Sequence, residues 1–249
     1  MWTSSRRFRA AHATRSRRVG IAVAVVACLG LTACTAVDAP SPASTAEADT
    51  VTPYPPPETG VMDAGTYLVT GYTVPFEITV PDGWTTYDGA GLGKDDPDLP
   101  DSWNATLIFY PAQYVPTDAC AWRGKLVQID PTAEAFVDAM TAQASAVSTP
   151  PVKVEVGDYS GVEFDYAVES DVDFTDCDGG RFCVYSESAQ DCNGRVYSRE
   201  GERETYLVVD LNGERAVIAL GQSDESMDPA LIEEARAVFD SIEFVQPDE

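Results

Sequence analysis

The sequence predicts an α+β domain in which an antiparallel β-sheet is flanked by helices. Three observations carry that expectation. Short segments alternate apolar with polar residues between turn residues, two segments place apolar residues at helical spacing behind an Asp-Pro pair, and Asn212-Gly213 joins two apolar runs as a hairpin.

The first alternating segment, "PFEITVPDGW", puts Phe76, Ile78 and Val80 on one face and Glu77 and Thr79 on the other. It then turns at Pro81-Asp82-Gly83 before Trp84. A strand near Gly65 to Gly71 is expected to pair with it. Residues 88–104, "DGAGLGKDDPDLPDSWN", show no period and are rich in Gly, Asp and Pro, which predicts a long loop ahead of the strand "ATLIFY". The "GAGLGK" stretch lacks the framing strand and spacing of a phosphate loop and reads as turn glycine. Asp130-Pro131 predicts an N-cap followed by proline at N1. Ala133, Phe136, Val137, Met140, Ala144 and Val147 then give a helix that stops before Pro150-Pro151. "VKVEV" and "GVEFDYAVE" follow as strands, the second with Val162, Phe164, Tyr166 and Val168 on its apolar face. After a cysteine-bearing insertion comes the hairpin "TYLVVDLNGERAVIALG". A helix capped by Asp228-Pro229, carrying Leu231, Ile232, Ala235, Val238 and Phe239, leads into a last strand, "SIEFV".

Ahead of this domain the sequence predicts two further segments. The first eighteen residues hold six arginines and no acid, and an uncharged run extends from Val19 to Leu31, the pattern of a secretory signal. A transmembrane span needs ~20 apolar residues, and Thr32 and Ala33 close this run early. Leu31-Thr32-Ala33-Cys34 matches the bacterial lipobox, in which the cysteine becomes lipidated and N-terminal. Val25-Val26-Ala27-Cys28 matches it too, but a cut there would leave Leu29-Gly30-Leu31 on the mature side, so Cys34 is the expected lipidation site, palmitate included. Residues 1–33 thus read as a lipoprotein signal peptide, 34–60 as a Pro-rich disordered tether, and 61–249 as one globular domain. The tether has six prolines and almost no large apolar residue. The expected address is the outer face of the cell membrane, held by the lipid. Arginine pairs in the n-region leave the Sec and twin-arginine export routes both open.

Charge narrows the partners. The chain has 41 acidic against 16 basic residues, and removal of the signal would leave 10 basic ones. A surface so acidic disfavours nucleic acid, and no basic run follows Arg18. The Ala, Val and Asp-rich composition with only three lysines fits a high-GC genome.

The order and spacing of "ITVPDGW", a helix before a strand pair, and a terminal helix running into "FDSIEFV" resemble Mog1/PsbP-like domains, including the actinobacterial LpqN-type lipoproteins. The likeness covers about residues 62–246. It implies an α/β/α sandwich used for binding and assembly, and it brings no catalytic residues. The segment 171–192 departs from the minimal pattern.

Four cysteines remain beyond Cys34: Cys120, Cys177, Cys183 and Cys192. An even set in an exported chain reads as two disulfides, and the absence of Cys-x-x-Cys argues against a thiolate metal site. Of three possible pairings, Cys183 with Cys192 across a short turn and Cys120 with Cys177 is favoured. These loops would contribute roughly 3 and 4 kcal/mol.

Catalytic signals are scarce. The one histidine, His12, lies in the predicted signal, so a mature chain has no Ser-His-Asp or Cys-His system and no histidine-held zinc or iron. Asp171, Asp173, Asp176 and Asp178 could offer oxygen ligands to calcium, but Thr175 and Asp176 stand where the loop pattern wants Asp or Asn and then Gly, so this reads as a solvated acidic loop. No metal or cofactor is expected. The sequence therefore favours a non-catalytic binding or accessory module of the cell envelope with an envelope protein or lipid as partner. The alternative is a histidine-free hydrolase using carboxylates on envelope glycan or lipid. If binding is the function, the expected surface is Trp103, Phe174, Phe182 and Tyr185 with a rim of Asp171, Asp173 and Asp178. The competing reading makes these rings core covering.

Overall fold

A computed structural model describes residues 51–246 apart from 57–59, 88, 100–103, 110, 200 and 224–225. The signal, Cys34 and most of the expected tether lie outside the described residues. All of the described residues belong to one compact unit, Glu47–Glu249.

The first half of the domain contributes β1 (Thr52–Tyr54), β2 (Gly65–Val69), β3 (Phe76–Val80), β4 (Thr85–Tyr87), β5 (Gly91–Asp95), β6 (Asn104–Ile108), β7 (Tyr114–Pro116), β8 (Leu126–Gln128) and α1 (Ala133–Thr141). The second half contributes β9 (Ala146–Ser148), β10 (Val152–Val156), β11 (Tyr159–Val168), β12 (Phe182–Tyr185), β13 (Arg195–Tyr197), β14 (Arg203–Asp210), β15 (Arg215–Gln222), α2 (Pro229–Asp240) and β16 (Glu243–Phe244).

An eight-stranded antiparallel sheet in the order β10-β11-β14-β15-β6-β5-β4, with β9 beside β10 on the edge of β11, organises the rest. Its central strands read as near-continuous apolar runs because both faces are covered. Leu207, Val209, Ala216, Ile218 and Leu220 enter a first core with α2 and a four-stranded sheet, β1-β2-β3-β16. Tyr206, Val208, Val217 and Ala219 enter a second core with α1 and the β7 and β12 strands.

The flanking layers correct the expected α/β/α sandwich. The domain is 43% strand and 15% helical, with two helices among the described residues. The cause is length. Nine residues of α1 span about 14 Å, too little to roof the second face, so the β7–β8 and β12–β13 pairs finish it. On the first face the small sheet does the same beside α2.

Three local expectations also change. The first helix begins after Thr132, whose hydroxyl accepts from the Ala135 N–H at 3.2 Å, and not at Asp130. It ends at Thr141 because Ala144 exchanges backbone bonds with the 117–119 segment, and Ser145, at φ 69°, donates its hydroxyl to Asp118. Ala144 and Val147 are therefore not helical. The glycine-rich loop 88–104 contains a strand, β5. A Cβ on Gly91 would stand 2.5 Å from the Leu107 carbonyl oxygen and one on Gly93 2.5 Å from the Tyr87 hydroxyl, so the glycines allow a close strand approach. The C-terminal end of the expected tether folds as well. Thr52 and Tyr54 pair in parallel with Tyr67 and Val69, Tyr54 is buried, and its hydroxyl donates to the Gly91 carbonyl.

Candidate functional site

The insertion that the cysteines mark is a folded layer against the second core. Asp173 caps a single 3₁₀ turn, its Oδ1 accepting from the Thr175 N–H at 2.8 Å and the Thr175 hydroxyl at 2.6 Å, which holds its carboxyl below the ordinary value. The segment then binds the 118–125 loop. The Asp178 N–H donates to the Cys120 carbonyl at 2.9 Å, Asp178 Oδ2 accepts from the Arg123 N–H at 2.8 Å, and the Cys183 N–H donates to the Ala119 carbonyl at 2.8 Å. Two disulfides lock this arrangement, Cys120–Cys177 and Cys183–Cys192, with Cα separations of 4.5 and 5.9 Å. Trp122, 1% exposed, packs on the second bridge and donates its indole N–H to the Asp178 carbonyl at 2.9 Å.

The aromatic residues expected on a partner surface are in the core. Phe182 and Tyr185 are fully buried and Phe174 is 9% exposed, all three in the second core. Phe182 stacks on Tyr197 with centroids 5.9 Å apart. The rings fall inward because β12 pairs with β13 and its Phe182, Val184 and Tyr185 enter the second core, where their area leaves water, while Cys183 turns to Trp122. Asp171 and Asp173 remain exposed, Asp178 is half-buried, and Trp103 lies outside the described residues. The surface drawn from the sequence is therefore not assembled by Phe174, Phe182 and Tyr185.

Beneath these rings lies a polar cluster that the sequence reading did not single out. Glu204 sits on β14 in phase with Tyr206 and Val208, so its carboxylate points into the second core with no side-chain exposure. Arg195 bonds one of its oxygens, and the Tyr197 hydroxyl (3.0 Å) and Tyr206 hydroxyl bond the other. Burial first, and Glu204 second, push the phenols of Tyr166, Tyr197 and Tyr206 well above the ordinary tyrosine value, so all three stay protonated as donors. Tyr166 donates to Gln143 Oε1 at 2.6 Å, and Gln143 returns an N–H to the Val184 carbonyl at 2.9 Å. Burial weakens the Arg195 cation most, but Glu204, Tyr197, Tyr206 and Glu202 together outweigh it and fix the charge. Glu202 stands 3.6 Å from the same guanidinium, and burial raises its carboxyl above the ordinary value against the pull of Arg195. The available signal was an acid at a register position otherwise held by Tyr and Val.

This cluster ties β13 to β14. Both Glu204 oxygens are occupied, and the residue is closed to a substrate. A space of about 380 Å³ opens on the β11, β14 and β15 strands beside Asp165, Arg203 and Glu204, and others lie elsewhere. A groove of about 610 Å³ runs between α1 and β10–β11, past Val137, Lys153 and Val162. A smaller one of about 310 Å³ lies at the loop end, beside Tyr72, Pro131 and Arg215. There Arg215 donates to the carbonyls of Asp130, Thr132 and Ala112 and ties three loops together. Among the described residues no group of three or more His, Cys, Asp or Glu is arranged to hold a metal, and no helix is long and apolar enough to cross a membrane.

Fold and site together define a mostly β, disulfide-stapled domain with two packed cores on one sheet. No family model matches the chain, and no curated protein matches it.

Proposed function

We propose that this protein is a lipoprotein of the cell envelope, held by Cys34 to the outer face of the membrane, whose domain acts as a non-catalytic binding or accessory module. A place among the LpqN-type lipoproteins belongs to the same proposal. The observation that carries the reading is the filling of both cores. Trp84, Phe76, Ile78 and Leu92 on one side and Tyr166, Tyr197, Tyr206 and Phe182 on the other are all less than 2% exposed, so an acyl chain has no enclosed apolar cavity among them to enter. Recognition then falls to the surface, and a protein partner fits better than a lipid taken into the interior. Two buried acids support the same side. A hydrolase needs one carboxyl beside a reachable partner, whereas Glu202 and Glu204 both turn to Arg195.

Incubation of the purified chain with envelope glycan and with membrane lipid tests this. No release of reducing sugar or free fatty acid is expected above a buffer control. Turnover by the wild type that disappears in Glu202→Gln would replace the binding reading with the hydrolase one.

A further inference from the structure

From the free edge of the large sheet we infer that two copies of this chain pair antiparallel through β10, about a two-fold axis at Val154. Among the described residues no strand pairs with the outer side of β10, and Val152 on it is 61% exposed. The phase of the edge follows from its hairpin. β10 and β11 are joined by the two residues Gly157-Asp158, and Val156 faces Tyr159 across the turn. A two-residue connection closes on a pair that exchanges both backbone bonds, and such pairs alternate along the ladder. Val152, Val154 and Val156 therefore spend their N–H and C=O groups on β11, and those of Lys153 and Glu155 point outward.

The sequence Val-Lys-Val-Glu-Val is self-complementary across such an edge. With the axis at Val154, Lys153 faces Glu155 of the second copy, the two exchange both backbone bonds, and their side chains set opposite charges opposite each other, twice per dimer. Val152 meets Val156 of the second copy on the other face, where Val154 and Val156 already lie against the first core. Other registers fail. An axis at Lys153 opposes two lysines, and one at Glu155 opposes two glutamates. Pro151 offers no outward N–H, so the pairing ends there. Charge complementarity selects the occupant. A chain with 41 acids and 16 basic residues repels its copies in general, and this register is one that turns a contact attractive. Five residues a side make less than a stable interface of ~1,200 Å², so the dimer is weak and concentration-dependent.

The test is mild oxidation of the purified full chain carrying Val154→Cys, with Val147→Cys, an exposed site on the same edge of β11, as the control for random collision. Linked dimer is expected from the first and not from the second. Lys153→Glu, which opposes glutamates, should lower the yield about tenfold or more, and the swap Lys153→Glu with Glu155→Lys should restore it, which also shows that the charge changes leave the fold intact. Equal linking at 147 and 154, no linking at 154, or a yield indifferent to charge reversal would overturn the pairing.

Discussion

Asp118 gathers four donors on one side chain. Its Oδ1 accepts from the Cys120 N–H at 3.1 Å, the Ala121 N–H at 3.0 Å and the Ser145 hydroxyl at 3.0 Å, and its Oδ2 takes Lys125 Nζ at 3.0 Å. Burial acts to raise its carboxyl, but the bonds from Ala121, Lys125 and Ser145 together outweigh burial and hold it below the ordinary value of 3.8. A depressed folded-state value means stability that is complete above 3.8 and lost as pH falls below it through the lower folded value. Thermal unfolding of the wild type should therefore steepen its loss of stability in that acid window. Asp118→Asn should cost about 1 kcal/mol at neutral pH and flatten that part of the profile; an unchanged profile would show that Asp118 does not carry it. Little in "PTDAC" announces this role, because two of the four donors, Lys125 and Ser145, reach Asp118 only after the loop has folded against it. Glu204 shows the opposite case. Its register with Tyr206 was readable, yet its partner Arg195 lies on another strand.

At the scale of elements, legibility follows how local the signal is. β3, β10, β11, β14, β15 and α2 all lie where period and capping placed them, since each is specified by its own side chains. Asp228 caps α2 as its sequence suggests, accepting from the Ala230 N–H at 2.9 Å. The β1 and β5 strands were invisible for a physical reason. Each pairs through backbone while Pro53 in one and Gly91 and Gly93 in the other weaken the strand signal, so tertiary pairing decides. The β1 strand makes the consequence measurable. Tyr54 is 6% exposed and packs edge-on against Phe109 with centroids 6.0 Å apart. Tyr54→Ala should lower stability by roughly 3 kcal/mol, seen as a lower urea midpoint with an unchanged slope. A midpoint within 0.5 kcal/mol of wild type (an ordinary surface effect) would mean that β1 is not part of the cooperative core.

For the whole molecule, the folded unit and the proposed anchor set a geometry together. With β1 docked in the small sheet, only residues 35–51 separate Cys34 from the domain, and a polyproline-type chain of that length at ~3.1 Å per residue reaches about 50 Å, not the ~80 Å that a tether running to residue 60 would allow. An anchored domain would then stay within a few of its own diameters of the membrane, and two anchored copies would meet at a local concentration far above that in solution. The export expectation rests on linear patterns, a signal and a lipobox, whereas a partner surface is assembled from strands distant in sequence. The choice of cysteine is the part that a single experiment decides. A radiolabelled fatty acid should mark the wild type and Cys28→Ala, and should be absent from Cys34→Ala, which should also leave the membrane fraction. With Cys34 acylated and the other four mature cysteines in the two bridges, the denatured, unreduced mature chain should also titrate close to zero free thiols. Label retained by Cys34→Ala and lost by Cys28→Ala would move the cut to Cys28, and label on neither variant's parent would remove the lipid anchor from the proposal.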